Sequence, residues 1–320
     1  MTRMDPAFLC LVKTPRPVLA DARLVREAQA AIIPPSLDGL DVQDDFVPFL
    51  ERADRHVPIR IYRPLHRASA LPVLLYLHGG GFFTGNLASE AMQCAEYARG
   101  AHCAVVCVDY RLAPEHPFPA ALNDCFQVLK YLHENAAAFE VRDDRIVVGG
   151  SSAGATLAAA LTLLSRDRGG PRIDAQMLLV PALDHRLHTE SAQRFTDVPD
   201  FARPEAQTMW QWYLGEYSTE VSAYASPGLA TSLATLPTAY ILCAGLDPLR
   251  DEGLLYVQRL LHDGVDVACR LVPGIPHGFA SVPSAPVSQR LLREQVEWLN
   301  NIFHRENICC NNEESVPTLP

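Results

Sequence analysis

Short, unbroken apolar runs alternate with longer segments of helical periodicity along this 320-residue chain, and that alternation sets the fold class. Residues 73–77 and 104–108 are continuous apolar runs bounded by turn residues. A strand with one wet face would alternate, so runs like these suit strands buried on both faces. Residues 145–148, 177–180, 239–243 and 265–272 read as further strands. Residues 57–62 do alternate, with Val57, Ile59 and Ile61 on one side, and read as a half-exposed strand. Residues 120–135 place Leu122, Phe126, Leu129 and Leu132 on one helical face. Residues 153–164, 249–262 and 289–303 read as helices too. Strands alternating with helices imply βαβ units, hence an α/β domain with a mostly parallel sheet and helices on both faces. The rhythm breaks between Pro181 and Pro237, over fifty residues with no strong strand and with Trp210, Trp212 and Tyr213. An insertion of that length is uncommon in a bare doubly wound sheet. The expectation is one domain, residues 1–320, with a helical cap from about 185–235 and about 1–45, and a loose polar tail at 305–320.

The net charge of −10 argues against nucleic acid, since phosphate binding needs clustered Lys and Arg. The nine cysteines show no CxxC pair with a matching ligand pair, so no metal is expected and free thiols in a reducing compartment are. The N-terminus lacks the apolar core of a secretory signal, and no run approaches the length of a transmembrane helix. A cytoplasmic location follows as an expectation; a homo-oligomer is compatible with the sequence.

Gly150-Ser151-Ser152-Ala153-Gly154 has the form G-x-S-x-G, directly after a strand and opening a helix. That context is the nucleophile elbow, in which a serine sits on a tight strand-to-helix turn. The pattern selects Ser152 over Ser151. His78-Gly79-Gly80-Gly81 follows the strand at 73–77. Glycines let backbone N–H groups approach a developing oxyanion, and Gly80, Gly81 and Ala153 are the expected donors. A serine nucleophile needs a general base, and the base an orienting acid, in the chain order acid then His. Asp247 lies in a loop just past the strand at 239–243, where open α/β sheets place their sites. It also suits a helix N-cap before Pro248. Asp251 competes from the following helix. His277, between Pro276 and Gly278, is the expected base; His185, His188, His262 and His304 fall in the cap or on helices. Trp210, Trp212 and Tyr213 are candidates for the substrate pocket, though their spacing equally fits helix packing, and Phe8 and Leu9 are weaker candidates for covering it.

HGGGF (78–82), DYRLAPEHPFPA (109–120), GSSAG (150–154), DPLRDEG (247–253) and HGF (277–279) together resemble the hormone-sensitive-lipase-like family of α/β-hydrolases. The similarity runs from about residue 55 to 300. The resemblance implies an eight-stranded, mostly parallel sheet under a helical cap, no organic cofactor or metal, and hydrolysis of small carboxylic esters, commonly with short acyl chains. It assigns Ser152, Asp247 and His277 to a catalytic triad and Gly80, Gly81 and Ala153 to the oxyanion hole. It also makes Asp109 and Glu115 structural, bracing the glycine-rich loop. Many members carry Asp or Thr where this chain has Ser151, which bears on substrate preference. The same triad serves amide or lactone cleavage and acyl transfer, and a non-catalytic receptor on this fold is the remaining rival.

Overall fold

The computed structural model describes residues 3–12, 22–29, 37–49, 52–67 and 69–304. The expected tail at 305–320 lies outside them, as does part of the expected N-terminal cap segment. Eight strands form one sheet: β1 (Leu40–Phe49), β2 (Arg52–Pro64), β3 (Leu71–Leu77), β4 (Ala104–Val108), β5 (Val141–Ser151), β6 (Ala175–Leu179), β7 (Thr238–Leu246) and β8 (Val267–Pro276). Their order is β1-β2-β4-β3-β5-β6-β7-β8. β2 pairs antiparallel with β1 and β4, and every other pairing is parallel. The helices are α1 (Leu9–Val12), α2 (Ala22–Gln29), α3 (Ala91–Gly100), α4 (Ala120–Glu134), α5 (Ala153–Arg168), α6 (Glu190–Arg194), α7 (Arg203–Leu214), α8 (Arg250–His262) and α9 (Pro286–His304).

The apolar run in β3 has a direct cause. Val73, Leu75 and Leu77 face one core, with α4, α5 and α8. Leu74 and Tyr76 face the other, with α3 and α9. β4 divides in the same way, with Val106 on the first side and Val105 and Cys107 on the second. A strand covered on both faces has no solvent side to mark with polar residues. No helix among the described residues is long and apolar enough to cross a membrane. The seven cysteines among them are free thiols, five of them buried.

Two elements depart from the expectation. Residues 40–45 belong to β1, not to the cap, since they pair antiparallel with β2 from Leu40↔Pro64 to Asp45↔Ile59. This edge strand carries Asp41, Asp44 and Asp45 and buries only Leu40 and Val47. Charged side chains on an exposed edge discourage pairing with other chains, and they also hide the strand's period. The helix α3 was not anticipated, because small residues such as Ala91, Ala95 and Ala98 supply most of its buried face. The stretch from Pro181 to Pro237 contains α6, α7 and short 3₁₀ turns but no strand, as expected. Phe8 is fully buried in the core on the α9 side and Leu9 is exposed, so Phe8 serves as a core residue.

The two classes of contact differ in weight. Leu75→Ala empties a fully buried position in a central strand and is expected to cost about 2–5 kcal/mol. Asp44→Ala removes an exposed partner of Arg60 and is expected to cost less than about 1 kcal/mol. Urea unfolding of both variants checks the contrast; equal losses would contradict it.

Candidate active site

β3, β5, β6, β7 and β8 run parallel, so their C-terminal ends open onto one edge of the sheet. That edge collects the residues singled out from the sequence. Ser152 follows β5, Asp247 follows β7, His277 follows β8 and His78 follows β3.

Ser152 joins β5 to α5 with φ 53° and ψ −117°. A positive φ strains a residue with a Cβ and persists only where surroundings enforce it. Here the Ser152 N–H donates to the Leu179 carbonyl at 2.8 Å, which ties the turn to the end of β6. The Thr156 N–H donates to the Ser152 carbonyl at 3.1 Å and starts the helix. Glycine is needed on both sides. A Cβ at 150 would strike the Leu77 carbonyl, and one at 154 would strike the carbonyls of Leu77 and His78. The elbow is therefore pressed directly against the end of β3.

The structure brings Ser152, His277 and Asp247 into one hydrogen-bonded chain. His277 Nε2 lies 2.9 Å from Ser152 Oγ, and His277 Nδ1 lies 2.7 Å from Asp247 Oδ2. A carboxylate only accepts, so Nδ1 carries the proton and Nε2 is free to accept from the serine hydroxyl. Asp247 Oδ1 accepts the Leu249 N–H at 2.8 Å. Asp247 is not the N-cap of α8, which is Leu249; one of its oxygens closes the turn before that helix and the other meets the histidine. Asp251 lies on α8, where it accepts the Ser191 N–H and pairs with Arg250. His185 is half-buried beside Ser226 and Trp210 rather than solvated.

Two neighbours of His277 carried no sequence signal. Phe201 stacks on its ring, with centroids 4.5 Å apart and planes 29° apart. Asp200 sets its carboxylate where a side chain at Gly278 would stand, so a larger residue at 278 would displace that carboxylate. Asp200 itself has φ 72°, another enforced left-handed residue. Burial pushes its carboxyl up, opposed by the nearby His277 and by the Gly278 N–H. For His277, burial disfavours the imidazolium, but Asp247 and, more weakly, Asp200 favour it. The balance leaves His277 above its ordinary value of 6.5.

The glycine-rich loop makes a tight turn beside Ser152. Phe83 and Thr84 both donate to the Gly80 carbonyl, at 3.1 and 2.9 Å. Gly81 and Phe82 have φ 61° and 66°. Positive φ at both central residues is the type I′ pattern. Among the described residues, the backbone N–H groups of Gly80 and Gly81 have no hydrogen-bond partner. Ala153 opens α5, where the first N–H groups lack helical acceptors and carry the positive end of the dipole.

The loop is fixed from below. The Gly79 N–H donates to Glu90 Oε1 at 2.6 Å, and the Tyr76 hydroxyl donates to Glu90 Oε2 at 2.5 Å. The Tyr110 hydroxyl donates to the His78 carbonyl at 2.7 Å, and its ring stacks on His78. Burial pushes Glu90 up, opposed by these two donors. Burial pushes His78 down to about 4, so this histidine is neutral. From above, Phe82 stacks on Tyr213 at 3.7 Å and meets Trp210 at 5.7 Å, while Phe83 meets Trp212 edge-on at 4.8 Å. Trp210 and Tyr213 are buried, and these contacts are with the loop. No group of three or more His, Cys, Asp or Glu among the described residues is arranged to hold a metal ion.

A family model described as the alpha/beta hydrolase fold matches residues 74–281. The chain is 40% identical over 219 residues to esterase LipI of Mycobacterium tuberculosis, covering 67% of this chain and 68% of that one. It is 37% identical over 237 residues to carboxylesterase NlhH of the same organism, covering 72% and 74%. The solved structure of a bacterial heroin esterase superposes with a TM-score of 0.90 at 41% identity, covering 94% of this chain and 98% of that one. The chain belongs to the α/β-hydrolase fold family, in its hormone-sensitive-lipase-like branch.

The two carboxylates around His277 make a measurable statement. The ring is expected to titrate above pH 6.5 in the wild type. Asp200→Asn removes an anion that favours the imidazolium, so it is expected to lower that midpoint. NMR of the His277 ring across a pH series follows both proteins; an unchanged midpoint in the variant would contradict the assignment.

Proposed function

We propose that this protein hydrolyses small carboxylic esters, preferably with short acyl chains, through an acyl-enzyme on Ser152. The observation that carries the reading is the hydrogen-bonded chain from Ser152 Oγ through His277 to Asp247. Membership of a family whose relatives bear esterase names supports the choice of ester.

In this mechanism His277 Nε2 takes the hydroxyl proton as Ser152 Oγ attacks the ester carbonyl carbon. Asp247 keeps the ring in the Nδ1–H tautomer and stabilises the imidazolium as it forms. The tetrahedral oxyanion is received by the N–H groups of Gly80, Gly81 and Ala153. Removing one such donor would cost on the order of 10²–10³ in rate. The carbon–oxygen bond to the alcohol then breaks, and His277 returns its proton to the departing alkoxide. Water repeats the sequence: His277 takes a proton from it, hydroxide adds to the acyl carbon, and the acid leaves as Oγ recovers its proton. The scheme uses only side chains, backbone N–H groups and water.

The proposed cap is the helical stretch of about residues 185–235. Its α7 aromatics hold the oxyanion loop through Phe82 and Phe83. Met209 packs on Gly81 from the same helix, so the space above the loop is crowded. A crowded approach favours a small acyl group.

Hydrolysis of p-nitrophenyl esters from acetate to palmitate by wild type and Ser152→Ala tests the proposal. Activity should peak at short chains and fall by at least about 10⁴-fold in the variant. Full activity in Ser152→Ala would overturn the nucleophile. Inert wild type on every ester, with turnover of an amide or lactone, would overturn the substrate class.

A further inference from the structure

We infer that Arg26 on α2 is a positioning residue that holds the glycine-rich loop in its oxyanion-binding shape. The inference rests on the reading of Gly80 and Gly81 as oxyanion donors. Its basis is a set of contacts made by one guanidinium. Arg26 Nε donates to the Phe83 carbonyl at 2.6 Å. Nη2 donates to the Ala113 carbonyl at 2.6 Å and to Glu115 Oε2 at 2.7 Å, and Nη1 donates to Glu115 Oε1 at 2.9 Å. One side chain thus clamps the far end of the turn 80–83 to the segment 113–115.

The same two segments also meet directly, because the Ala113 N–H donates to the Phe82 carbonyl at 2.9 Å. Consecutive carbonyls, Phe82 and Phe83, are therefore both engaged by this assembly. Peptide orientation through the turn follows from these anchors at one end and from Glu90 on the Gly79 N–H at the other. With both ends fixed, the intervening N–H groups of Gly80 and Gly81 are held against rotation. Gly81 has no Cβ to resist such rotation, so the resistance has to come from outside the residue.

The energetics favour geometry over stability as the role. The side chains of Arg26 and Glu115 are 27% and 53% exposed, and pairs this wet contribute little to stability. Arg26 nonetheless holds the Glu115 carboxyl below its usual range. The helix that carries Arg26 has eight residues, too few to persist alone in water. Ala22 and Val25 pack it on the core, so it is docked in register with the loop. A guanidinium suits this task because its donors form a planar fork. Lysine offers a point charge that can satisfy Glu115 without spanning two carbonyls.

The test measures two quantities on the full chain, for wild type, Arg26→Lys and Arg26→Ala. The first is kcat and KM on p-nitrophenyl butyrate. Arg26→Ala should lower kcat about 10- to 100-fold with KM within about threefold, and Arg26→Lys should fall between. The second is amide hydrogen exchange of residues 79–84, which should quicken at least about tenfold in Arg26→Ala while the thermal midpoint stays near wild type. Unchanged exchange, or faster exchange with kcat within about twofold of wild type, would overturn the inference. Failure of the esterase reading shows separately, as an inert wild type or an active Ser152→Ala, and the exchange data still decide whether Arg26 holds the loop.

Discussion

The carbonyls of Leu77 and His78 press against the backbone of Gly150 and Gly154, with no room for a side chain between them. This contact joins the end of β3 to the turn after β5. Because those strands are neighbours in the sheet, the glycine-rich loop and Ser152 leave the same edge side by side. A residue larger than glycine at either position would separate the proposed nucleophile from the proposed oxyanion donors. The strained φ of Ser152 and the paired positive φ values of Gly81 and Phe82 follow from fitting two tight turns into one small volume. The surrounding aromatic packing, Phe82 on Tyr213 above all, supplies the rigidity that keeps both turns in place.

Charge is arranged around that contact with some economy. Three carboxyl groups lie near the site, and each is fixed by different means. Asp247 divides its oxygens between the turn before α8 and the His277 ring. Asp200 lies on the backbone side of the same histidine, against Gly278. Glu90 is buried under the loop, with one oxygen on a backbone amide and the other on a tyrosine hydroxyl. Asp200 and Asp247 act on the basicity of the proposed general base, while Glu90 acts on the shape of the glycine-rich loop. Groups that orient others in this way account for much of a preorganised site, because the reacting groups then need not reorganise as charge develops.

Much of this was legible in the sequence, for physical reasons. β3 and β4 announce themselves because burial on both faces leaves an unbroken apolar run. The G-x-S-x-G elbow and the HGGG turn are local geometries that demand glycine at fixed offsets. Asp247 and His277 were found because strand ends in a parallel sheet share an edge. What escaped was long-range or masked. β1 hides its period behind three aspartates, and α3 buries mainly small side chains. Asp200 and Phe201 meet His277 only through the folding of the cap segment, and nothing near them in sequence marks that contact. Glu90 lies 11 residues from the amide it holds and belongs to no motif the sequence displayed. Asp247 was read as either a helix cap or a triad member; the N-cap of α8 is Leu249, and Asp247 instead holds the turn before the helix with one oxygen and the His277 ring with the other.

The central claim is that Ser152, and not its neighbour Ser151, is the activated hydroxyl of this edge. Reaction with a fluorophosphonate probe, followed by peptide mapping of the adduct, tests that claim without assuming any substrate. The account predicts a single adduct on Ser152, formed rapidly in wild type and lost in His277→Ala. An adduct on Ser151, or equal labelling in the His277 variant, would contradict it.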